Sequence, residues 1–211
     1  MFGNRWRSTF EERLLFVASD SYVKYLLADG SVWSFGVTNS TPPYIYALAA
    51  PAIDTTTTIT EGTGTLIVTS QSGEKHVFDG TTGVLLSIAD RNGNTTTLTY
   101  DSAQRLASVA DPASRHLYFH YPDGSSTLVS SVTSDVGLTF SYTYDGQGRL
   151  TRVTKPDSTF VTFEYDAQNL ITAVKDSEGK ILEAHTYDSL GRGLTGSKAN
   201  GVESVTVTYP Q

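Results

Sequence analysis

The stretch Tyr144-Asp145-Gly146-Gln147-Gly148-Arg149-Leu150-Thr151-Arg152-Val153 decides the fold, because related stretches recur on both sides of it. An aromatic residue leads each copy, and the leading residues are Phe78, Tyr100, Tyr121, Tyr144, Tyr165, Tyr187 and Tyr209. Successive copies begin 22, 21, 23, 21, 22 and 22 residues apart. A period this regular indicates one structural unit repeated along the chain, in which each copy packs on its neighbours.

Each repeat is predicted to contain two β-strands and two turns. Residues 160–165 alternate large and mixed side chains with period two, residues 166–169 suit a turn, and residues 170–174 form a second apolar run. About 22 residues accommodate two strands of roughly six residues and two turns, and leave no room for a helix. The sequence therefore predicts an all-β fold of successive antiparallel β-hairpins.

The residue types after the leading aromatic suit a tight turn. An aspartate can accept hydrogen bonds from turn N–H groups, and these aspartates are Asp79, Asp101, Asp145, Asp166 and Asp188. Residues that tolerate a left-handed backbone follow at Gly83, Gly148, Gly191 and Asn169. Gln104 stands at the same place, so we expect its turn to differ.

Side chains around the turn are expected to lock the repeats together. The leading tyrosine should end a strand with its ring packed on the next repeat. The residue two positions earlier shares its face, which gives the row Leu98, Phe119, Tyr142, Phe163, His185 and Val207. Arg105, Arg149 and Arg192 are expected to pair with a neighbouring aspartate while their aliphatic stems cover aromatic rings.

The first 74 residues are predicted to be β-rich without the repeat. Residues 22–36 are predicted to form a hairpin around the Asp29-Gly30 turn signal, and residues 66–69 and 75–78 are predicted to form another. Residues 11–18 favour a strand over a short helix, and residues 37–63 are expected to be less regular. Pro42-Pro43 is incompatible with a central strand.

Composition excludes several classes of function. The net charge of -7 argues against nucleic-acid binding, and the absence of cysteine excludes disulfides and thiolate metal sites. We find no apolar run long enough for a membrane span and no signal-peptide core. The localisation is therefore left unknown by the residues themselves.

The sequence contains no convincing catalytic, cofactor or metal motif. His116 and His120 are four residues apart, but they lie in a predicted strand, and a packed or solvent-facing role outweighs metal ligation. Carboxylates are plentiful, yet their positions suit turns better than a catalytic pair. We therefore predict a protein that is not an enzyme and needs no cofactor. Rows of tyrosine leave carbohydrate binding open as an alternative.

Residues 75–211 resemble the YD-repeat family, also called Rhs repeats. The residues from Tyr144 to Val153 match the family signature nearly throughout, those from Tyr100 and from Tyr187 match well, and those from Tyr165 lack its glycine and arginine. Residues 2–6, with residues 29–32, are similar to the segment that often precedes the repeats. The resemblance implies hairpins that spiral into a hollow shell, which in bacterial toxins encloses a toxin polypeptide.

The resemblance sets the expected organisation and function. Residues 1–74 are expected to be a β-rich segment that precedes the repeats, and residues 75–211 to be repeats continuous with it in one curved, spiralling sheet, an open arc of a shell. The expected function is a non-catalytic scaffold of an exported or cell-surface bacterial protein; the alternative is a module that binds carbohydrate or a protein. The expected partners are another copy at the sheet edges, further repeats, or an enclosed polypeptide.

Overall fold

The computed structural model describes residues 1–3, 5–16, 22–39, 41–50 and 56–210. These residues form nineteen strands and two single-turn 3₁₀ helices, Thr9–Glu11 and Ala199–Gly201. Every strand pairing in the two units described below is antiparallel, and consecutive strands follow one another as hairpins. The prediction of an all-β fold built from successive antiparallel hairpins is confirmed. Its curvature concerns the overall shape and stays a prediction.

Eleven strands precede residue 121. They are β1 Arg13–Phe16, β2 Tyr22–Leu26, β3 Val32–Val37, β4 Ile45–Ala50, β5 Thr58–Gly62, β6 Thr65–Thr69, β7 Lys75–Asp79, β8 Leu85–Ala89, β9 Thr95–Tyr100, β10 Leu106–Ala110 and β11 His116–His120. The others are β12 Ser131–Ser134, β13 Thr139–Tyr144, β14 Leu150–Thr154, β15 Phe160–Tyr165, β16 Ile171–Lys175, β17 Ile181–Tyr187, β18 Gly193–Lys198 and β19 Glu203–Thr206.

The chain divides into two compact units. Unit 1 contains Met1 and Arg7–Phe119, and unit 2 contains Phe2–Trp6 and His120–Gln211. In unit 1, consecutive strands from β1 to β11 pair with one another, and in unit 2 consecutive strands from β12 to β19 do the same. The boundary predicted between residues 74 and 75 rests on the sequence motif and stays a prediction.

The core of unit 1 follows the alternation of its strands. In β2, Val23 and Tyr25 are buried while the residues before and between them are exposed, as expected for a sheet with one packed face. Phe35 and Phe78 are fully buried. In unit 2 fewer large side chains are buried; among them, Val129 and Leu150 are almost fully enclosed.

In each of three repeats, a turn that begins with Tyr-Asp, here called the YD turn, joins the two strands of a hairpin. These hairpins contain a β-bulge at the same place, next to the tyrosine. Tyr144 pairs with Leu150, and the register shifts between Thr143 and Tyr144. The same shift occurs beside Tyr165 and beside Tyr187. A bulge of this kind adds one residue to one strand and increases the local twist. It sets the direction of the tyrosine side chain in every such repeat.

The N-terminal predictions are confirmed in most places. Both predicted hairpins form, as β2–β3 and β6–β7. Residues 11–16 contain the end of the first 3₁₀ helix and β1, while residues 17 and 18 lie outside the described residues. The expectation of irregular structure over residues 37–63 was wrong where β4 and β5 form, because Ile45–Ala50 lacks a clear period-two pattern yet finds partners on both sides. Pro42-Pro43 lies between β3 and β4.

Candidate functional site

The YD turn is built by its aspartate. The backbone N–H of Asp145 donates to the carbonyl oxygen of Arg149 at 3.0 Å, and the N–H of Gly148 donates to the carbonyl oxygen of Asp145 at 3.0 Å. The Asp145 Oδ1 atom accepts the N–H groups of Gln147 at 2.9 Å and Arg149 at 3.0 Å. The predicted Asx-turn is therefore present, and the carboxylate satisfies turn donors that would otherwise depend on water.

The same arrangement recurs in the neighbouring repeats. Asp101 accepts the N–H groups of Ala103 and Arg105, each at 2.9 Å, and Asp188 accepts those of Leu190 and Arg192, also at 2.9 Å. The turn led by Asp166 keeps both backbone bonds, although Leu170 stands where the others have arginine. In the looser copies, Asp79 accepts Thr81 and Thr82, and Asp123 accepts Ser125 and Ser126.

A left-handed residue closes the turns led by Asp101, Asp145, Asp166 and Asp188. Gly148 has a φ of 73°, Gly191 of 75° and Asn169 of 63°, as predicted. Gln104 has a φ of 61° and its turn has the same backbone bonds, so the expectation of a different turn was wrong. The hydrogen bonds of Asp101 and the pairing of the flanking strands hold Gln104 in a conformation that its side chain alone disfavours.

An arginine pairs with the aspartate inside its own turn. The Nε atom of Arg149 lies 2.6 Å from Asp145 Oδ2, and the matching distances are 2.8 Å for Arg105 and 2.7 Å for Arg192. Hydrogen bonds from the arginine N–H groups, backbone first, hold the pKa of Asp101, Asp145 and Asp188 below its ordinary value. The predicted pairing with a neighbouring aspartate is therefore found for all three arginines, in each case within the arginine's own turn.

Arg149 and Arg192 also cover a ring of the following repeat. The Arg149 guanidinium carbon lies 5.0 Å from the centre of the Tyr165 ring, and that of Arg192 lies 4.2 Å from the Tyr209 ring. A guanidinium over a ring face is an attractive arrangement. Arg149 Nη1 also donates to Asn169 Oδ1 at 3.1 Å. The arginine thus joins its own turn to the turn of the next repeat.

The leading tyrosines form a ladder of hydroxyl-to-backbone hydrogen bonds, which sequence reasoning missed. The hydroxyl of Tyr144 donates to the carbonyl oxygen of Val129 at 2.8 Å, and that of Tyr165 donates to Leu150 at 2.6 Å. The other rungs are Tyr100 to Leu85 at 2.6 Å, Tyr187 to Ile171 at 2.8 Å and Tyr209 to Gly193 at 3.1 Å. Each rung spans 15 or 16 residues and so connects consecutive repeats.

The other two leading aromatics are Phe78 and Tyr121. Phe78 has no hydroxyl and is fully buried, with its ring centre 5.6 Å from that of Tyr25. Tyr121 directly follows β11 and precedes an irregular stretch before β12. The regular spacing of the leading tyrosines was the sequence signal that could have predicted the ladder. Because the repeat is about 22 residues long, each tyrosine lies next to the strand that follows the turn of the preceding repeat.

The turns at the opposite end of the hairpins also use aspartate. Asp90 and Asp176 each accept two backbone N–H groups through Oδ1. Asp111 does the same and pairs with Arg115, whose Nε lies 2.6 Å from Oδ2. The pair of Asp111 and Arg115 was not predicted from the sequence.

The predicted row two positions before each tyrosine meets aromatic side chains from the N-terminal residues. In unit 2, the ring of Phe2 lies 4.8 Å from that of Tyr142, and Trp6 lies 4.9 Å from Phe163. In unit 1, Phe10 lies 6.5 Å from Phe119 at an interplanar angle of 86°. These contacts were not predicted.

A polar cluster in unit 1 lies beside a cavity of about 390 Å³. His76 Nδ1 lies 2.6 Å from Glu12 Oε2, and the Tyr25 hydroxyl donates to the same oxygen. Burial lowers the pKa of His76, but the hydrogen bond and negative charge of Glu12, helped by Glu74, raise it by more, so its pKa lies above its ordinary value. Burial, followed by Glu12, raises the pKa of Tyr25.

Among the described residues, no group of three or more histidine or acidic side chains is arranged to hold a metal ion. His116 and His120 lie on β11, as predicted, and His120 Nε2 lies 2.8 Å from the Thr133 hydroxyl. Within the described ranges, neither 3₁₀ helix has the length and apolar character needed to cross a bilayer.

Solved structures resemble the chain at low sequence identity. The TcdB2-TccC3-TEV crystal structure is 14% identical with a TM-score of 0.48, and the match covers 88% of this chain and 12% of that one. The TcdB2-TccC3-Cdc42 structure is 14% identical with a TM-score of 0.45, covering 83% and 11%. A Tc holotoxin pore of Photorhabdus luminescens is 15% identical with a TM-score of 0.43, covering 83% and 10%. The chain thus spans 10% to 12% of the length of these proteins.

A family model gives the more specific result. A search of curated proteins found no significant match. The RHS repeat model, by contrast, matches residues 81–116, 120–159 and 144–181. These ranges contain three of the YD turns described above, each with its aspartate, its left-handed residue and its tyrosine rung. Residues 81–116 and 120–181 therefore belong to the RHS repeat family.

Proposed function

We propose that this chain is a non-catalytic structural scaffold, a section of an RHS repeat shell of the kind that encloses a polypeptide for delivery. The observation that carries the proposal is the ladder of tyrosine hydroxyls, in which Tyr100, Tyr144, Tyr165 and Tyr187 each bind the backbone of the preceding repeat. These contacts fix neighbouring repeats to one another. A wall made of such repeats needs this rigidity more than it needs a reactive group.

The motif side chains support a structural role because their polar atoms are engaged in the turn. In the Asp145 turn, Oδ1 accepts two backbone N–H groups and Oδ2 accepts the Arg149 guanidinium. A carboxylate held in this way has a lowered pKa and stays ionised at neutral pH, so it cannot serve as a general acid there. The proposal that the chain is not an enzyme rests on this use of its most regular carboxylates.

The enclosed polypeptide is the partner that this proposal requires. The test is to isolate the product of the complete reading frame that contains residues 1–211 and to treat it with a protease. We expect a polypeptide inside the shell to survive protease concentrations that degrade the same polypeptide made alone. Degradation of every segment outside the repeats at the rate of the isolated segments would overturn the proposal.

The proposal has two further parts: the protein is exported from a bacterial cell, and it associates with other chains through the edges of its sheet. The last strand, β19, pairs with β18 and has all four of its residues exposed. A strand edge with free backbone groups is a template for pairing with another chain. Mass measurement over a range of concentrations would detect such pairing, and cell fractionation of the complete product would test export.

The alternative is a module that binds carbohydrate or a protein through its tyrosine rows. Sugar stacking needs an open ring face, but the Tyr165 ring is covered by Arg149 and its hydroxyl is engaged with Leu150. A glycan array with the chain and its Tyr142→Ala variant distinguishes the two functions. Glycan binding that the substitution abolishes without changing the melting temperature would favour the alternative.

A further inference from the structure

The N-terminal segment 2–6, named here the N-terminal strap, is part of unit 2, while the chain from Arg7 to Phe119 belongs to unit 1. In unit 2 the strap lies against the β13–β16 hairpins through two aromatic side chains. Phe2 contacts Tyr142 at 4.8 Å between ring centres, and Trp6 contacts Phe163 at 4.9 Å with an interplanar angle of 65°. The Trp6 indole N–H also donates to the Tyr165 hydroxyl at 2.9 Å.

The backbone of the strap fits closely against the YD turn of Asp145. Gly3 has a φ of 94°, and a Cβ atom added to it would lie 2.6 Å from the carbonyl oxygen of Gly148 and 3.3 Å from a ring carbon of Tyr144. A side chain at this position would both strain the backbone and collide with a main-chain atom. The surface therefore selects an aromatic residue followed by glycine, with a second aromatic residue four positions after the first.

The strap is held by side chains and not by a β-ladder. Its described residues lie outside every strand, and a backbone hydrogen bond within it joins the Trp6 N–H to the Gly3 carbonyl oxygen at 3.3 Å. Aromatic anchors and one directed hydrogen bond are the features of a docked peptide. A segment attached in this way can leave and be replaced without breaking the pairing of any strand.

We propose that Tyr142, Phe163 and Tyr165, with the Gly148 carbonyl, form a docking groove that accepts the N-terminal strap of a second copy of this chain in exchange for its own. The contacts that Phe2, Gly3 and Trp6 make are then made between copies. Exchange of a short identical element is a low-cost route to association, because the contacts in the exchanged form equal those in the closed form. The proposal does not depend on a shell function.

The first experiment uses the full chain with Phe2→Ala and Trp6→Ala, which disables the strap and leaves the groove intact. A fluorescent peptide of residues 1–7 is expected to bind this variant with a dissociation constant on the order of 100 µM, because a short flexible peptide loses much of its contact energy to ordering. The unsubstituted chain should bind at least about tenfold more weakly because its own strap competes. A peptide with Gly3→Ala should also bind at least about tenfold more weakly. Equal binding of the two peptides, or no binding to the folded variant, would overturn the proposal.

The second experiment tests exchange between copies by complementation. A variant with Tyr142→Ala and Phe163→Ala keeps its strap but lacks the groove. Mixed with the strap-disabled variant, it should form a heterodimer that neither variant forms alone, measured by mass in solution. A mixture that contains the same species as the separate variants would contradict strap exchange, and peptide binding without a heterodimer would point to a different peptide as the occupant.

A third arrangement covers the case in which a substituted chain does not fold. A protease recognition sequence is inserted between Trp6 and Arg7 of the otherwise unsubstituted chain, which is cleaved after folding. The labelled peptide should then displace the severed strap, so its fluorescence anisotropy should rise after cleavage and not before. Anisotropy that stays flat after cleavage would overturn the proposal.

Discussion

The hydroxyl of Tyr165 donates to the carbonyl oxygen of Leu150 at 2.6 Å while it accepts the indole N–H of Trp6 at 2.9 Å. Leu150 belongs to the preceding repeat and Trp6 to the N-terminal strap, so one hydroxyl connects three parts of unit 2. Burial, the largest cause, raises the pKa of Tyr165, which keeps the hydroxyl protonated and able to donate. The regular spacing of the tyrosines thus serves contacts between repeats.

Removing this hydroxyl tests the ladder directly. Tyr165→Phe is expected to lower the free energy of unfolding by about 1–2 kcal/mol, because it removes one hydrogen bond and leaves the Leu150 carbonyl and the Trp6 indole without this partner. Tyr22→Phe is the matched control, since the Tyr22 side chain is 48% exposed and its change should stay within about 0.5 kcal/mol. Urea denaturation measures both, and equal losses would contradict the role of the ladder.

A substitution at Gly83 tests the close approach of the Leu14 backbone to this glycine in unit 1. Its φ is 71°, and an added Cβ atom would lie 2.0 Å from the carbonyl oxygen of Leu14. Gly93 has a φ of 87° but no atom within 4 Å of the added Cβ, so it isolates the cost of the conformation. Gly93→Ala should cost about 1 kcal/mol and Gly83→Ala about 2 kcal/mol more. Thermal or urea unfolding gives both values, and similar losses would show that β1 moves freely away from Gly83.

Gln104 offers a stabilising substitution. Because its φ of 61° is left-handed, Gln104→Gly should relieve backbone strain and raise the free energy of unfolding by up to about 1 kcal/mol. Gln147 is the control, since it lies in a YD turn outside the left-handed positions. Gln147→Gly should be neutral or destabilising. Stabilisation by both substitutions would mean that glycine acts through something other than the left-handed site.

The YD aspartates should make the protein sensitive to acid. Their pKa is lowered by hydrogen bonds from the turn, arginine backbone first, so the folded state binds fewer protons than the unfolded state. Their stabilising contribution is complete above the ordinary pKa of about 3.9 and is lost as the pH falls through the lower folded pKa. Asp145→Asn with Asp188→Asn should flatten the fall in unfolding free energy between pH 5 and pH 2. An unchanged slope would assign acid sensitivity to other carboxylates.

The contribution of His76 to stability should have the opposite pH dependence, because it is lost as the pH rises. Its pKa is lowered by burial but raised by more through Glu12 and Glu74, so the folded state holds its proton more firmly than the unfolded state. The stabilisation is complete below the ordinary pKa of about 6.5 and is lost as the pH rises through the folded pKa. His76→Gln should therefore reduce the loss of stability on going from pH 6 to pH 9. Urea unfolding at each pH measures this, and a variant that loses stability as the unsubstituted chain does would exclude His76 as the source.

The sequence by itself determined the repeat, its two strands and the chemistry of its turns. Asp145, Gly148 and Arg149 lie close together in the chain, so their residue types and spacing were enough to predict the Asx-turn, the left-handed glycine and the ion pair. Gln104 shows where local preference failed, because the bonds of Asp101 and the paired strands outweigh the intrinsic cost of its conformation.

The tertiary structure decided the contacts between residues far apart in the chain. Sequence spacing could not show that Tyr165 would bind Leu150, that Trp6 would lie on Phe163, or that Glu12 would meet His76. The pairing of strands in a sheet brings such residues together, and the position of each partner depends on registers and bulges that accumulate over many residues. Local hydrogen bonding therefore determined the structure of the single repeat, and packing between repeats determined which residues meet.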